Sequence, residues 1–140
     1  MRISLGYPDR AAERELLRGA DRREMLDVLP AMLAPHELLE LQHLVQQVHA
    51  AEPLLNYLQD LLAATRSGRW FLQGLSPRAG IAIMRAARAQ AFMSGRDYVA
   101  PDDIAAILPQ TAAHRLIPVS DAGRGAVEQV RAMLDAVPLP

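Results

Sequence analysis

The stretch that most constrains this chain is residues 74–91, GLSPRAGIAIMRAARAQA. Ser76 followed by Pro77 predicts a helix start. A serine N-cap accepts from the free amides of the first turn, and proline is tolerated where its missing N–H costs nothing. Arg78 then falls in the first turn, beside unpaired backbone donors and the positive end of the helix dipole. A cation is locally unfavourable there unless something negative lies opposite, and helix N-termini are natural phosphate sites. At about 100° per residue, Arg78, Arg85 and Arg88 share one sector, while Ile83, Met84, Ala87 and Ala91 lie opposite. The helix is therefore expected to pack through small and apolar residues and to present a row of guanidinium groups. Ser94-Gly95 ends it, with Gly95 suited to a left-handed C-cap.

The chain has 140 residues, no cysteine and a formal net charge of -1. That length suits one domain with a real core. The alanine- and leucine-rich, aromatic-poor composition fits a helical protein, and the balanced charge argues against general attraction to nucleic acid or membrane. Every basic side chain other than histidine is arginine. A lysine-dependent phosphate loop or Schiff base is therefore impossible in this chain. Disulfides, thiolate metal sites and cysteine nucleophiles are excluded. No apolar run reaches membrane-spanning length and the N-terminus lacks a signal-peptide pattern, so a cytoplasmic location is expected.

In chain order, Met1–Leu5 alternates like a short strand and stops at Gly6-Tyr7-Pro8. Asp9 introduces a helix from Arg10 to Arg18, with Ala11, Leu16 and Leu17 as its apolar share. Residues 21–33 show no sustained period and are read as an irregular connection. Pro35 opens a helix whose Leu38, Leu41, Leu44 and Val45 form the expected core stripe. Pro53 starts another, to about Thr65, with Leu54, Leu55, Leu58, Leu61 and Leu62 inward. Trp70 and Phe71 are expected to anchor a loop on the bundle. Pro101, Asp102 and Asp103 suit the first turn of a further helix, which Pro109 is expected to break or restart. Ile117–Val119 reads as extended and Asp121–Gly123 as a turn. A last helix from about Arg124 to Ala136 carries Val127, Val130, Met133 and Leu134. The fold class is all-α: a helical bundle with one or two short extended segments.

Chemistry for a self-contained enzyme is missing. His36-Glu37-Leu38-Leu39-Glu40 lacks the second histidine of a zinc-protease helix, and His49 and His114 have no ligands nearby in sequence, so no metal site is expected. Ser76 is better explained by capping than as a nucleophile elbow.

Five segments in order, GYPD (Gly6 to Asp9), ATRSGR (Ala64 to Arg69), GLSPRAG (Gly74 to Gly80), GRDYVAPDDI (Gly95 to Ile104) and HRLI (His114 to Ile117), resemble the C-terminal part of MoxR-type AAA+ ATPases. The resemblance covers nearly the whole chain. It implies an α-helical lid following an ATPase core, with residues 1–8 the crossover from that core and 9–140 the lid. It also implies that Arg78 is the sensor-2 arginine reaching the nucleotide phosphates, the catalytic contribution of this chain. Gly6, Tyr7 and Pro8 would form the hinge and line the nucleotide pocket.

No G-x-x-x-x-G-K-[ST] loop and no acidic metal-binding strand is present, and these do most of the positioning in such ATPases. The chain alone is accordingly expected neither to hydrolyse ATP nor to hold a nucleotide tightly, and Met1 reads as an internal residue of a longer protein. For the full-length protein the resemblance implies ATP with Mg2+, an upstream core, a homo-oligomeric ring, often a hexamer, and protein clients matured in a chaperone-like way. The alternative is a stand-alone helical adaptor whose arginine row binds an acidic protein. Nucleic-acid binding by the same row is disfavoured by the lack of a second basic cluster.

Overall fold

The computed structural model describes residues 1–19, 26–119 and 125–140. Among these, six α-helices form: α1 (Arg10–Arg18), α2 (Pro35–Gln47), α3 (Glu52–Arg66), α4 (Pro77–Met93), α5 (Pro101–Ala112) and α6 (Ala126–Ala136). Short 3-10 turns occupy Leu26–Val28 and Ala113–Arg115. There is no sheet among the described residues; two isolated bridges, His49 with Tyr98 and Phe71 with Pro118, are the only extended pairing there. The all-α expectation with one or two extended pieces describes the molecule.

Punctuation residues explain the boundaries. The Asp9 carboxylate accepts from Ala12 N at 2.8 Å and starts α1. Pro35, Pro53, Pro77 and Pro101 each sit in the first turn of their helix, where no N–H is needed. Gly95, at φ +74°, turns the chain out of α4.

The core lies between α3, α4, α5 and α6. In α4, Ala79, Gly80, Ile83, Ala87 and Ala91 are buried, so one face of mostly small residues lets its neighbours approach closely. A Cβ on Gly80 would come within 2.8 Å of Leu62 Cδ1, so a larger residue there would make the end of that leucine side chain shift. α4 packs against α2, α3 and α5, and α5 against α3, α4 and α6. α5 is buried on most of its circumference, through Ile104, Ile107, Leu108, Thr111 and Ala112 among others.

That burial corrects the expectation for Pro109. The helix runs through it to Ala112 instead of breaking. Proline removes one intrahelical bond, but fixing Ile107 and Leu108 in the core stabilises by roughly 1.5–3 kcal/mol per side chain, so packing prevails.

The first third of the chain differs from its expected form. Met1–Leu5 is not a strand; among the described residues its one backbone tie is Arg2 N to Gln110 O at 2.7 Å, and no strand there lies alongside to pair with. α1 buries no residue and packs against no other helix among the described residues. In α2 the expected stripe is only half realised: Leu41 and Val45 are half-buried, but Leu38 and Leu44 are 49% and 45% exposed. Among the described residues α2 reaches the bundle along a single neighbouring helix, α4, and one contact line cannot cover a four-residue stripe. Val127 on α6 is likewise exposed, whereas Val130 and Met133 are fully buried. The turn expected at residues 121–123, and Arg124 at the expected start of the last helix, lie outside the described residues.

Candidate functional site at the start of α4

The loop that delivers Arg78 is locked to the end of α3. Thr65, 1% exposed, donates its hydroxyl to Leu62 O at 2.7 Å and accepts from Leu75 N at 3.1 Å. One residue on, Arg66 Nε donates to Leu75 O at 2.8 Å. Leu75 thus has both backbone groups held by consecutive side chains of α3. Gly74 fits only without a side chain, since a Cβ there would fall 2.7 Å from Arg66 Cα and 2.9 Å from Arg66 N. Behind this clasp, Phe71 and Leu75 are buried as anchors, and Trp70 is half-buried with the Arg69 guanidinium over its ring. Leu72 N to Ile117 O at 2.8 Å and Val119 N to Trp70 O at 3.1 Å tie the loop to the segment after α5.

From the clasp the chain enters α4. Ser76 Oγ accepts from Ala79 N at 3.3 Å, as an N-cap should. Pro77 is the first helical residue and Arg78 the second. Arg78 is exposed and makes no hydrogen bond or ion pair among the described residues. A cleft between α3 and the start of α4 is lined by Leu55, Leu58, Leu62, Arg66, Pro77 and Gly80; Arg78 is not part of its lining. The result is an exposed, unpaired cation in the first turn of a capped helix, a geometry that fits a phosphate. Mg2+ is a different matter: among the described residues no three His, Asp or Glu side chains group as ligands. All four histidines are exposed.

Replacing Thr65 by valine tests the clasp. The shape is kept, but Leu75 N–H loses its acceptor in a buried place, so stability should fall by about 1–3 kcal/mol. Chemical denaturation measures it; a loss below about 0.5 kcal/mol, the range of an ordinary surface change, would show that the loop is held by something else.

The structure places the other expected site residues less tightly. Gly6 has φ +68°, and its N–H reaches Ser4 Oγ at 3.3 Å. Tyr7 is 100% exposed and Pro8 is exposed. The N-terminal segment lies along a separate cleft, where Arg2, Ile3 and Ser4 face Pro109, Gln110 and His114. The loop before α4 pairs with the segment after α5 through the Phe71–Pro118 bridge, with Leu72 N donating to Ile117 O and Val119 N to Trp70 O. The start of α4 and the end of α5 therefore share one end of the bundle. Arg78 and the segment tied to Gln110 lie at that end, with no hydrogen bond or ion pair joining Gly6, Tyr7 or Pro8 to Arg78 among the described residues.

The arginine row needs correction. Arg78 and Arg85 are exposed, but Arg88 is half-buried and its Nη1 lies 3.3 Å from Gln46 O of α2. Helical period alone does not reveal that a neighbouring helix ends beside position 88.

A second polar constellation went unrecognised in the sequence. Asp103, 3% exposed, accepts from Arg96 Nη1 at 2.7 Å and Nη2 at 2.5 Å, and from Ala100 N at 2.8 Å. The hydrogen bond from Arg96 holds this carboxyl below the usual carboxylate range, against the opposing effect of burial. The place of Asp103 in the first turn after Pro101 was legible in the sequence; the pairing with Arg96 was not. Nearby, burial and then the charge of Asp102 push the Tyr57 phenol up. GRDYVAPDDI is thus mainly an architectural segment that joins α4 to α5.

A family model described as the AAA lid domain matches residues 63–135, which contain the clasp, Arg78 and the Arg96–Asp103 pair. The chain belongs to the AAA lid domain family. It is similar to YeaC of Bacillus subtilis (strain 168), 33% identical over 99% of this chain and 44% of that protein. It is also similar to the chaperone MoxR1 of Mycobacterium tuberculosis, 32% identical over 86% of this chain and 34% of that protein. Among solved structures, that of a candidate ATPase from Cytophaga hutchinsonii superposes on the whole chain with a TM-score of 0.81 at 28% identity, using 46% of its own length. These likenesses make the chain a lid domain of the MoxR-type AAA+ ATPases, and it spans less than half the length of each of the three. No helix among the described residues is long and apolar enough to cross a membrane.

Proposed function

We propose that this AAA lid closes over ATP bound by an upstream core, with Arg78 as the sensor that reaches the β- and γ-phosphates. The observation that carries this reading is the exposed, unpaired Arg78 on the capped N-terminus of α4, held in place by Thr65 and Arg66. A cation so placed gains most from a polyanion, because the helix amides add their own positive field. Gly6, Tyr7 and Pro8 form the hinge of the crossover in residues 1–8, with 9–140 as the moving lid. The location of the N-terminal segment at the Arg78 end of the bundle supports it. Mg2+ and the phosphate loop belong to the core; this chain's part is to bind phosphate charge and convert nucleotide state into lid angle.

The likeness to a protein named as a chaperone supports a role in remodelling or maturing client proteins; the assembly we propose is a homo-oligomeric ring working in the cytoplasm. The stand-alone adaptor is the weaker reading, since Arg88 is turned toward α2 and the acidic-partner row loses a member.

Nucleotide binding tests the proposal. The 140-residue chain titrated with a fluorescent ATP analogue should show no saturation below about 1 mM, a Kd equivalent to only about 4 kcal/mol. A protein that carries the core should bind far more tightly, and Arg78→Ala should weaken that binding. Equal affinity with and without Arg78 would remove the arginine from the site.

A further inference from the structure

From the packing of α2 we infer that this helix forms a hinged arm, latched to the bundle by Arg88. This goes beyond the nucleotide reading and does not depend on it. Three observations converge. First, α2 fully buries no residue and among the described residues touches α4 alone of the helices, so only the half-buried Leu41 and Val45 hold its length down. Second, the attachment is concentrated at the end of α2. Val48 is buried just past the last turn, and His49 pairs with the α4–α5 link through His49 N to Asp97 O at 2.8 Å and Val99 N to His49 O at 2.9 Å. That backbone pair fixes a pivot. Third, Arg88 reaches across from α4 to Gln46 O at 3.3 Å.

The chemistry at that contact is specific. The last carbonyls of a helix carry partial negative charge and lack intrahelical donors. α2 has no basic residue in its own last turn to meet them. Arg88 supplies the missing cation from a different helix. Its Nε is buried and has no hydrogen-bond partner, a cost tolerated where the rest of the guanidinium is held in place. A cleft of about 530 Å³ lies beside this joint, lined by Leu44, Gln47, Val48, Phe92 and Arg96, so open space borders the end of α2 on that side. One hydrogen-bonded cation and one pivot anchored by Val48, with the partial burial of Leu41 and Val45 between them, therefore set the angle of the arm. Because α4 carries Arg78 at its other end, the latch connects the arm to the same rigid helix that bears the proposed sensor.

Amide hydrogen exchange on the 140-residue chain tests the latch. Arg88→Met keeps an unbranched apolar stem and deletes the guanidinium. It should speed exchange in residues 38–47 by about tenfold, as expected when a local opening loses one charged hydrogen bond. Exchange in α3 and α5 should stay as in the unsubstituted chain, and Arg85→Met on the exposed part of the same helix should change nothing. Arg88→Lys, which keeps a cation able to donate to the carbonyl end, should recover part of the protection. Unchanged exchange in α2 for Arg88→Met would overturn the latch. So would an equal rise in α3 and α5, which would mean that Arg88 supports the whole bundle rather than the arm.

Discussion

Arg78→Ala is expected to lower ATP turnover by about a hundredfold in the core-bearing ATPase, the cost typical of deleting one well-placed donor at developing charge. The fold should not change. Arg78 is exposed and makes no bond to the described part of the bundle, and alanine is the better helix former. Removing a cation from a helix N-terminus even relieves a small dipole repulsion. Thermal unfolding should therefore agree with that of the unsubstituted protein to within about 0.5 kcal/mol. Steady-state phosphate release gives the turnover. Arg78→Lys should recover only part of it, since a point charge cannot span two phosphate oxygens as a guanidinium does. Turnover within a factor of two of the parent, with the fold intact, would refute the sensor role outright.

The second large effect concerns stability. Asp103→Ala should cost about 2–4 kcal/mol, because a buried carboxylate serving both Arg96 and the first turn of α5 disappears. Asp103→Asn should cost less, since an amide oxygen can still accept from Ala100 N. The pair also predicts an acid dependence. The Asp103 pKa is lowered in the folded state, chiefly by the hydrogen bond from Arg96. A carboxyl of this kind stabilises the fold fully above its unfolded pKa of about 3.9 and loses that contribution as pH falls through the lower folded value. Unfolding measured from pH 6 to pH 2 should thus show a steeper acid loss in the parent than in Asp103→Asn. Parallel curves for the two would mean that Asp103 is not ionised in the folded protein or gains nothing from Arg96.

How far the sequence was legible depends on the range of the interaction. Helix starts were readable because proline and caps act within four residues: Asp9, Ser76 and Pro101 each do locally what their position implies. The packing face of α4 was readable for the same reason, since Ile83, Ala87 and Ala91 lie on one side of any helix they form. The residues that carry the site were only partly readable. Arg78 announced itself through its helix start, whereas Thr65 and Arg66, which hold its loop, lie ten and nine residues from their common partner Leu75. Motif resemblance flagged that stretch without supplying its reason.

Local chemistry along the chain thus determined the helical class, the helix boundaries, the capped arginine and the family resemblance, because propensity, capping and period are properties of neighbours in sequence. Tertiary structure alone decided which periodic faces find a partner. Leu38 and Leu44 have a core-like pattern yet stay exposed, because among the described residues α2 meets one helix and not a bundle. Pro109 looks like a breaker yet sits inside α5, because α3, α4 and α6 all pack against that helix. Arg88 belongs to a solvent-facing sector yet meets a carbonyl on α2, because another helix happens to end there. In each case the deciding free energy comes from a surface brought near by the fold, and no window of adjacent residues contains it.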